Sequence, residues 1–132
     1  MPAIPTSIGA ITLFVEDVAR AREFYTRVWD VAPAFEDDTS VAFAFDKTIV
    51  NLVHSSGAPE LIEPARVAAP DAGSRMQLTI WVDDADAACA TLADRGVELL
   101  NGPQDREWGV RTAAFGDPDG HVWEVAQQLA QG

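Results

Sequence analysis

The sequence predicts an α+β fold in which two βαβββ modules form an open, cup-shaped, eight-stranded barrel, and three observations carry that expectation. The first is an internal repeat. Val82-Asp83-Asp84 follows Val15-Glu16-Asp17 at an offset of 67 residues, and each triplet leads directly into a helix-like segment of similar length. The second is the alternation in the strand before each triplet. One face is aliphatic (Ile11, Leu13, Val15; Leu78, Ile80, Val82), and the other mixes aromatic and polar groups (Ala10, Thr12, Phe14; Gln77, Thr79, Trp81). The third is the stretch from Arg106 to Gln127, two β-prone runs joined by Asp117-Pro118-Asp119-Gly120. That tetrapeptide offers an Asx acceptor, a preset φ and a residue free to take positive φ, which makes the stretch a hairpin. One such unit leaves a sheet face bare, so two units close around a shared space with the aliphatic faces beneath the helices.

The elements follow in order. Met1 to Ser7 holds two prolines and no pattern, and is a tail. Ile8 to Val15 is a strand, and Asp17 is an N-cap whose carboxylate can accept the free amides of the next turn. Val18, Ala21, Phe24, Tyr25 and Val28 then recur at helical spacing, with Arg20, Arg22, Glu23 and Arg27 between them, giving an amphipathic helix. Pro33 to Asp38, Val41 to Phe45 and Thr48 to Val53 are three strands, with Asp46-Lys47 as a turn. Residues 55–74 form a linker rich in proline and glycine, with one short helical turn around Glu60 to Val67. The order then restarts: a strand from Arg75 to Val82, a helix capped by Asp84 and ended by Gly96, a strand from Val97 to Leu100, a turn at Gly102-Pro103, and the hairpin. The chain is thus one domain over residues 1–132, with module 1 at 8–54 and module 2 at 75–128.

Composition narrows the function. A net charge of −12 disfavours nucleic acid and anionic membranes and would concentrate a cationic small molecule. No apolar run approaches the ~20 residues of a spanning helix. The first residues lack the basic start and apolar core of a signal peptide. With a single cysteine, Cys89, the expected compartment is the cytoplasm. Cys89 itself is a small helix-core residue, and neither a glycine-rich phosphate loop nor a Ser/His/Asp set is recognisable.

Strand alternation places Trp123 and Val125 on one side of the last strand and Val122, Glu124 and Ala126 on the other. Glu124 is an acid in an apolar strand, and either faces water or points into a ligand cavity. Of four tryptophans, Trp29 and Trp123 belong to the core. Trp81 is on the mixed face of its strand and Trp108 is at the mouth of the hairpin, where a planar or cationic ligand could stack for about 0.5 to 2 kcal/mol per contact. Arg111 could pair with an acid or clamp a ligand carboxylate.

The repeated strand-helix-strand-strand-strand unit resembles the vicinal oxygen chelate superfamily, which includes glyoxalases, bleomycin-resistance proteins and extradiol dioxygenases. VEDVARAREFYTRVW in the first half and WGVRTAAFGDPDGHVWEV in the second carry the likeness, which extends from Ile8 to Gln127. It implies a cleft made from two modules and a homodimer. Members with a catalytic divalent ion resemble one another in four ligand positions, which fall here at Ala10, Asn51, Gln77 and Glu124. Ala10 has no donor atom and an asparagine amide is a weak ligand, so no metal and no other cofactor is expected. The candidates to replace the missing ligands are His54 and His121. The resemblance then points to a metal-free protein that sequesters a small molecule, using Thr12, Phe14, Asn51, Gln77, Thr79, Trp81, Trp108, Arg111 and Glu124. The alternative is a glyoxalase-like metal-dependent lyase, isomerase or dioxygenase in which Glu124 is both ligand and base.

Overall fold

The computed structural model describes residues 4–130. Of the expected tail, Met1 to Ala3 lie outside the described residues, and Ile4 to Ser7 has no regular structure. The first half runs β1 (Ala10–Val15), α1 (Val18–Trp29), β2 (Phe35–Glu36), β3 (Ser40–Phe45) and β4 (Thr48–His54). After a 3-10 turn and α2 (Ala58–Ile62), the second half runs β5 (Gln77–Trp81), α3 (Ala85–Asp94), β6 (Leu99–Asp105), β7 (Val110–Gly116) and β8 (Val122–Gln128). The same order of elements occurs twice, as the repeat predicts.

Each half makes one four-stranded mixed sheet, ordered β1-β4-β3-β2 and β5-β8-β7-β6. The pairs β1·β4 and β5·β8, at one edge of each sheet, are parallel, and the remaining pairs are antiparallel. The sheets are not closed into a barrel, and β1 and β5 are each an edge strand.

The helices start where the sequence places them. Asp17 accepts the Arg20 amide at 3.0 Å and Asp84 accepts the Ala87 amide at 3.0 Å, each filling one of the orphan donors of a first turn. Gly96 follows the cap of α3 with φ +83°, a conformation that a side chain would oppose. At their far ends the helices are tied together, since Arg27 donates to the Arg95 carbonyl and Arg95 donates to the Val28 carbonyl at 2.8 Å.

One core serves both halves. The aliphatic faces of β1 and β4 and the inner face of β8 are buried with Ala21, Phe24, Tyr25 and Val28 of α1. Tyr25 stacks on Phe43 of the first sheet at 6.0 Å and meets Trp123 of the second edge-on at 5.8 Å. Helix α1 therefore packs against both sheets, which is why its buried stripe is aromatic where that of α3 is mostly small. A fully buried aromatic removes ~150–250 Å² from water, so these rings dominate the cohesion between halves.

Two expectations are corrected. The Gly102-Pro103 turn lies inside β6, an edge strand whose pairing with β7 shifts register around it. Gly102, at φ +85°, brings its backbone so near β7 that a Cβ would sit 2.3 Å from the Thr112 carbonyl oxygen. At an edge, a proline can sit without costing a ladder hydrogen bond, and the irregular pairing absorbs the glycine. The linker's helical turn is α2, which begins at Ala58 because Pro59 is favoured in a first turn, and which has ended before Pro64.

Candidate functional site

The bare faces of the two sheets carry related polar pairs. Strand register puts Thr12 beside Asn51 in the first half and Thr79 beside Glu124 in the second. Thr79 Oγ1 donates to Glu124 Oε1 at 2.9 Å, and Asn51 Nδ2 donates to Thr12 Oγ1 at 3.4 Å. Ala10 and Gln77 are two residues before the threonines and so share their faces. Glu124 is partly exposed, which places its carboxylate on a reachable surface rather than in the core.

Alternation sorts the other expected site residues. Trp81 shares the face of Thr79 and Gln77, and its ring is 60% exposed. Trp108, 71% exposed, stands in the turn before β7 with the Arg106 guanidinium 6.0 Å from its ring centroid. Arg106 also donates to Thr112 at 2.9 Å, so it lies over this half as a cation that the sequence pattern did not single out. Arg111 is set apart from the group. It pairs in register with Gln127, on the face of β8 that carries Trp123 and Val125, and binds Asp105 at 2.6 Å and Asp86 at 3.1 Å. Of its two possible roles, the geometry assigns it the acidic pairing. Hydrogen bonding from Arg111 holds the Asp105 carboxyl below its usual range.

Thr12 and Phe14 face a different space. They line a cavity of about 260 Å³ between β1, the linker and the β7–β8 turn, while Thr79 borders a smaller, mainly apolar cavity of about 180 Å³ between the two sheets. The structure thus brings Gln77, Thr79, Trp81 and Glu124 together in one half and Thr12, Phe14 and Asn51 together in the other.

Both histidines are engaged at Nδ1. In His54 this atom accepts the Ser56 amide at 3.1 Å and caps the 3-10 turn. In His121 it lies 2.8 Å from Asp117 Oδ2. Asp117, whose side chain is fully buried, also accepts the Tyr25 hydroxyl at 2.6 Å and the amides of Asp119 and His121 at 2.9 and 2.8 Å, and Trp123 Nε1 donates to the Tyr25 oxygen at 2.9 Å. Burial opposes the Asp117 charge, but hydrogen bonds from His121 and Tyr25 outweigh it and hold the carboxyl below its usual range. Burial likewise opposes a charged His121, and the bond to Asp117 overcomes it and raises the imidazole. Burial, followed by the charge of Asp117, pushes the Tyr25 phenol far up, so Tyr25 is a permanent donor. Residue type alone marked Asp117 as a turn former and Tyr25 as core. Their bond spans 92 residues and has no local signal.

Among the described residues, no three His, Cys, Asp or Glu side chains gather as a metal site would require. No helix among them is long and apolar enough to cross a membrane.

With this geometry in view, comparison with known proteins places the fold. The chain belongs to the Glyoxalase/Bleomycin resistance protein/Dioxygenase superfamily, whose family model matches residues 7–125. It is similar to the uncharacterised protein YraH of Bacillus subtilis, 29% identical over 123 residues that make up 90% of this chain and 96% of the relative. Among solved structures it is similar to a glyoxalase/bleomycin resistance protein/dioxygenase from Nocardioides, with TM-score 0.87, 22% identity and coverage of 99% of this chain and 89% of that one. It is also similar to TnmS3, an antibiotic binding protein from Streptomyces sp. CB03234, with TM-score 0.72, 25% identity and coverage of 96% and 98%. A lactoylglutathione lyase from Agrobacterium tumefaciens shares the fold at TM-score 0.75 and 18% identity, over 94% of this chain and 95% of that one.

Proposed function

We propose that the protein is a metal-free binder of a small, planar or cationic molecule, and that the second-half face of Gln77, Thr79, Trp81 and Glu124 makes the principal contacts. The observation that carries this reading is the partly exposed Glu124 carboxylate, oriented by Thr79 and sharing its face with the exposed indole of Trp81. A fixed anion beside a flat aromatic surface is the chemistry that recognises a cation with a π-system. The likeness to an antibiotic binding protein agrees with a binding role.

The donor set does not fit a divalent metal ion. Of the four positions where metal-dependent members of the superfamily carry ligands, Ala10 has no donor atom and Asn51 offers a neutral amide. Glu124 shares one oxygen with Thr79, which leaves a single carboxylate and the Gln77 amide. That is too little charge to displace the water around a transition metal.

The bare faces also suggest the assembly. In one chain the β5 edge of the second-half face is open to solvent, with Gln77, Thr79 and Trp81 exposed, while Glu124 beside it is half-buried and Ala126 is buried. A second copy laid against them would turn open faces into clefts, so a homodimer is part of the proposal. Sedimentation of the full chain should give twice the chain mass.

Tryptophan fluorescence titration tests the binding role. Planar aromatic cations should quench saturably and equally with and without added Mn²⁺, Ni²⁺ or Zn²⁺. A stoichiometric divalent ion retained through purification and lost in Glu124→Ala would overturn the metal-free reading.

A further inference from the structure

The larger cavity carries both signs of charge, unlike the Glu124 face. Five charged side chains line it: Glu16, Arg66, Arg75, Asp119 and His121. The two acids are already engaged within the protein. Glu16 Oε2 accepts the Ser55 hydroxyl at 2.8 Å, and Asp119 Oδ1 accepts the Glu16 amide at 2.9 Å. The bases are not so engaged. Ion pairs among the described residues involve Arg22, Arg27, Arg111 and His121, and neither Arg66 nor Arg75 donates a hydrogen bond to a described residue. Arg66 and Arg75 thus bring two guanidinium groups with no partner among the described residues to the lining of one cavity.

His121 adds a third donor group. Its Nδ1 edge is turned to the buried Asp117 carboxylate, so the opposite edge, with Nε2, is left for the cavity. The bond to Asp117 also favours the protonated ring, in which Nε2 is a donor. Phe14, Ile62 and Met76 supply apolar lining nearby. At about 260 Å³ the cavity is just below the ~300–1,000 Å³ usual for small-molecule pockets. The overall negative charge does not forbid an anion here, since exposed charges beyond roughly 8 Å are largely screened at physiological salt while the lining bases act at contact.

We propose that this cavity is a second ligand site, taking a small organic molecule with a carboxylate or phosphate group. The anionic group is held by the guanidinium forks of Arg66 and Arg75 and by the Nε2 edge of His121, and the apolar body rests on Phe14 and Met76. Guanidinium forks suit both anions, because each offers paired oxygens to paired N–H groups.

The test is calorimetric titration of the full chain with benzoate, phenyl phosphate and neutral benzamide at matched ionic strength. At least one anion should bind saturably and benzamide should not, with the tighter anion identifying the ligand class. The double variant Arg66→Gln/Arg75→Gln should weaken binding at least tenfold without moving the melting temperature, because both side chains are exposed. His121→Gln should weaken it more at pH 6 than at pH 9. Glu124→Ala should leave anion binding unchanged, which separates this site from the one above. Failure of both anions to bind at millimolar concentration, equal binding of benzamide, or undiminished affinity in the double arginine variant would each overturn the proposal.

Discussion

The hydroxyl of Tyr25 donates to the buried carboxylate of Asp117 at 2.6 Å, joining the first helix to the last hairpin across 92 residues. Trp123 Nε1 donates in turn to the same hydroxyl oxygen at 2.9 Å. This short chain of polar contacts runs through the aromatic core that both sheets share, and it fixes where the β7–β8 turn meets α1. Removing the hydroxyl in Tyr25→Phe keeps the ring but leaves the indole N–H without its acceptor and takes one donor from Asp117. A loss of about 1–3 kcal/mol is expected, because a buried polar group left unpaired costs its desolvation. Chemical denaturation should show a lower midpoint with an unchanged slope, and a midpoint equal to that of the wild type would refute the assignment.

The same network sets a pH dependence with two limbs. Asp117 has its carboxyl held below the usual range, so its contribution is full above the unfolded value of ~3.9 and is lost as pH falls through the lower folded value. His121 is raised, so its contribution is full below the unfolded value of ~6.5 and is lost as pH rises through the higher folded value. The melting temperature should therefore fall on both sides of a plateau. In His121→Gln the decline that begins above about pH 6.5 should vanish. An unchanged decline there would assign it to another group.

Gly120 should tolerate no side chain. Its φ is +86°, and a Cβ would sit 2.6 Å from the Pro70 carbonyl oxygen, which is backbone and has little room to give. Gly120→Ala should destabilise by about 1–2 kcal/mol from the backbone conformation alone, with the clash in addition. Because Pro70 belongs to the wall of the larger cavity, the variant should also weaken benzoate or phenyl phosphate binding. Thermal melts together with calorimetry check both effects.

On the Glu124 face, Thr79→Val removes the hydroxyl that orients the carboxylate and preserves the shape of the side chain. Affinity for a planar cation should drop several-fold, as expected for one charge-assisted hydrogen bond, while stability changes little at this exposed position. Trp81→Leu should lose most of the fluorescence quenching. If Thr79→Val and Glu124→Ala both bind like the wild type, the ligand lies elsewhere.

Much of the fold was legible because it follows from short-range rules. The N-caps at Asp17 and Asp84, the positive-φ glycine at Gly96, the alternation of β1 and β5, and the Asp117 to Gly120 turn all depend on residues within a few positions of one another. The bare faces carrying Thr12, Gln77, Thr79 and Glu124 could be read for the same reason, since strand period alone decides which side chains share a face. The role of Arg111 was open because alternation could place it on a face but could not show that Asp86 of α3 and Asp105 of β6 reach it there.

By itself, then, the sequence determined the repeated unit, the helix ends, the hairpin, and which residues each sheet leaves bare. Only the tertiary structure decided that the two sheets stay separate, that Tyr25 and Asp117 bond across the core, and that Arg66, Arg75 and His121 line one cavity. The physical reason is range. Caps, turns and strand alternation are settled by neighbours along the chain, whereas a cavity between β1, the linker and a turn more than a hundred residues from β1 exists only after the shared aromatic core has brought the two halves together.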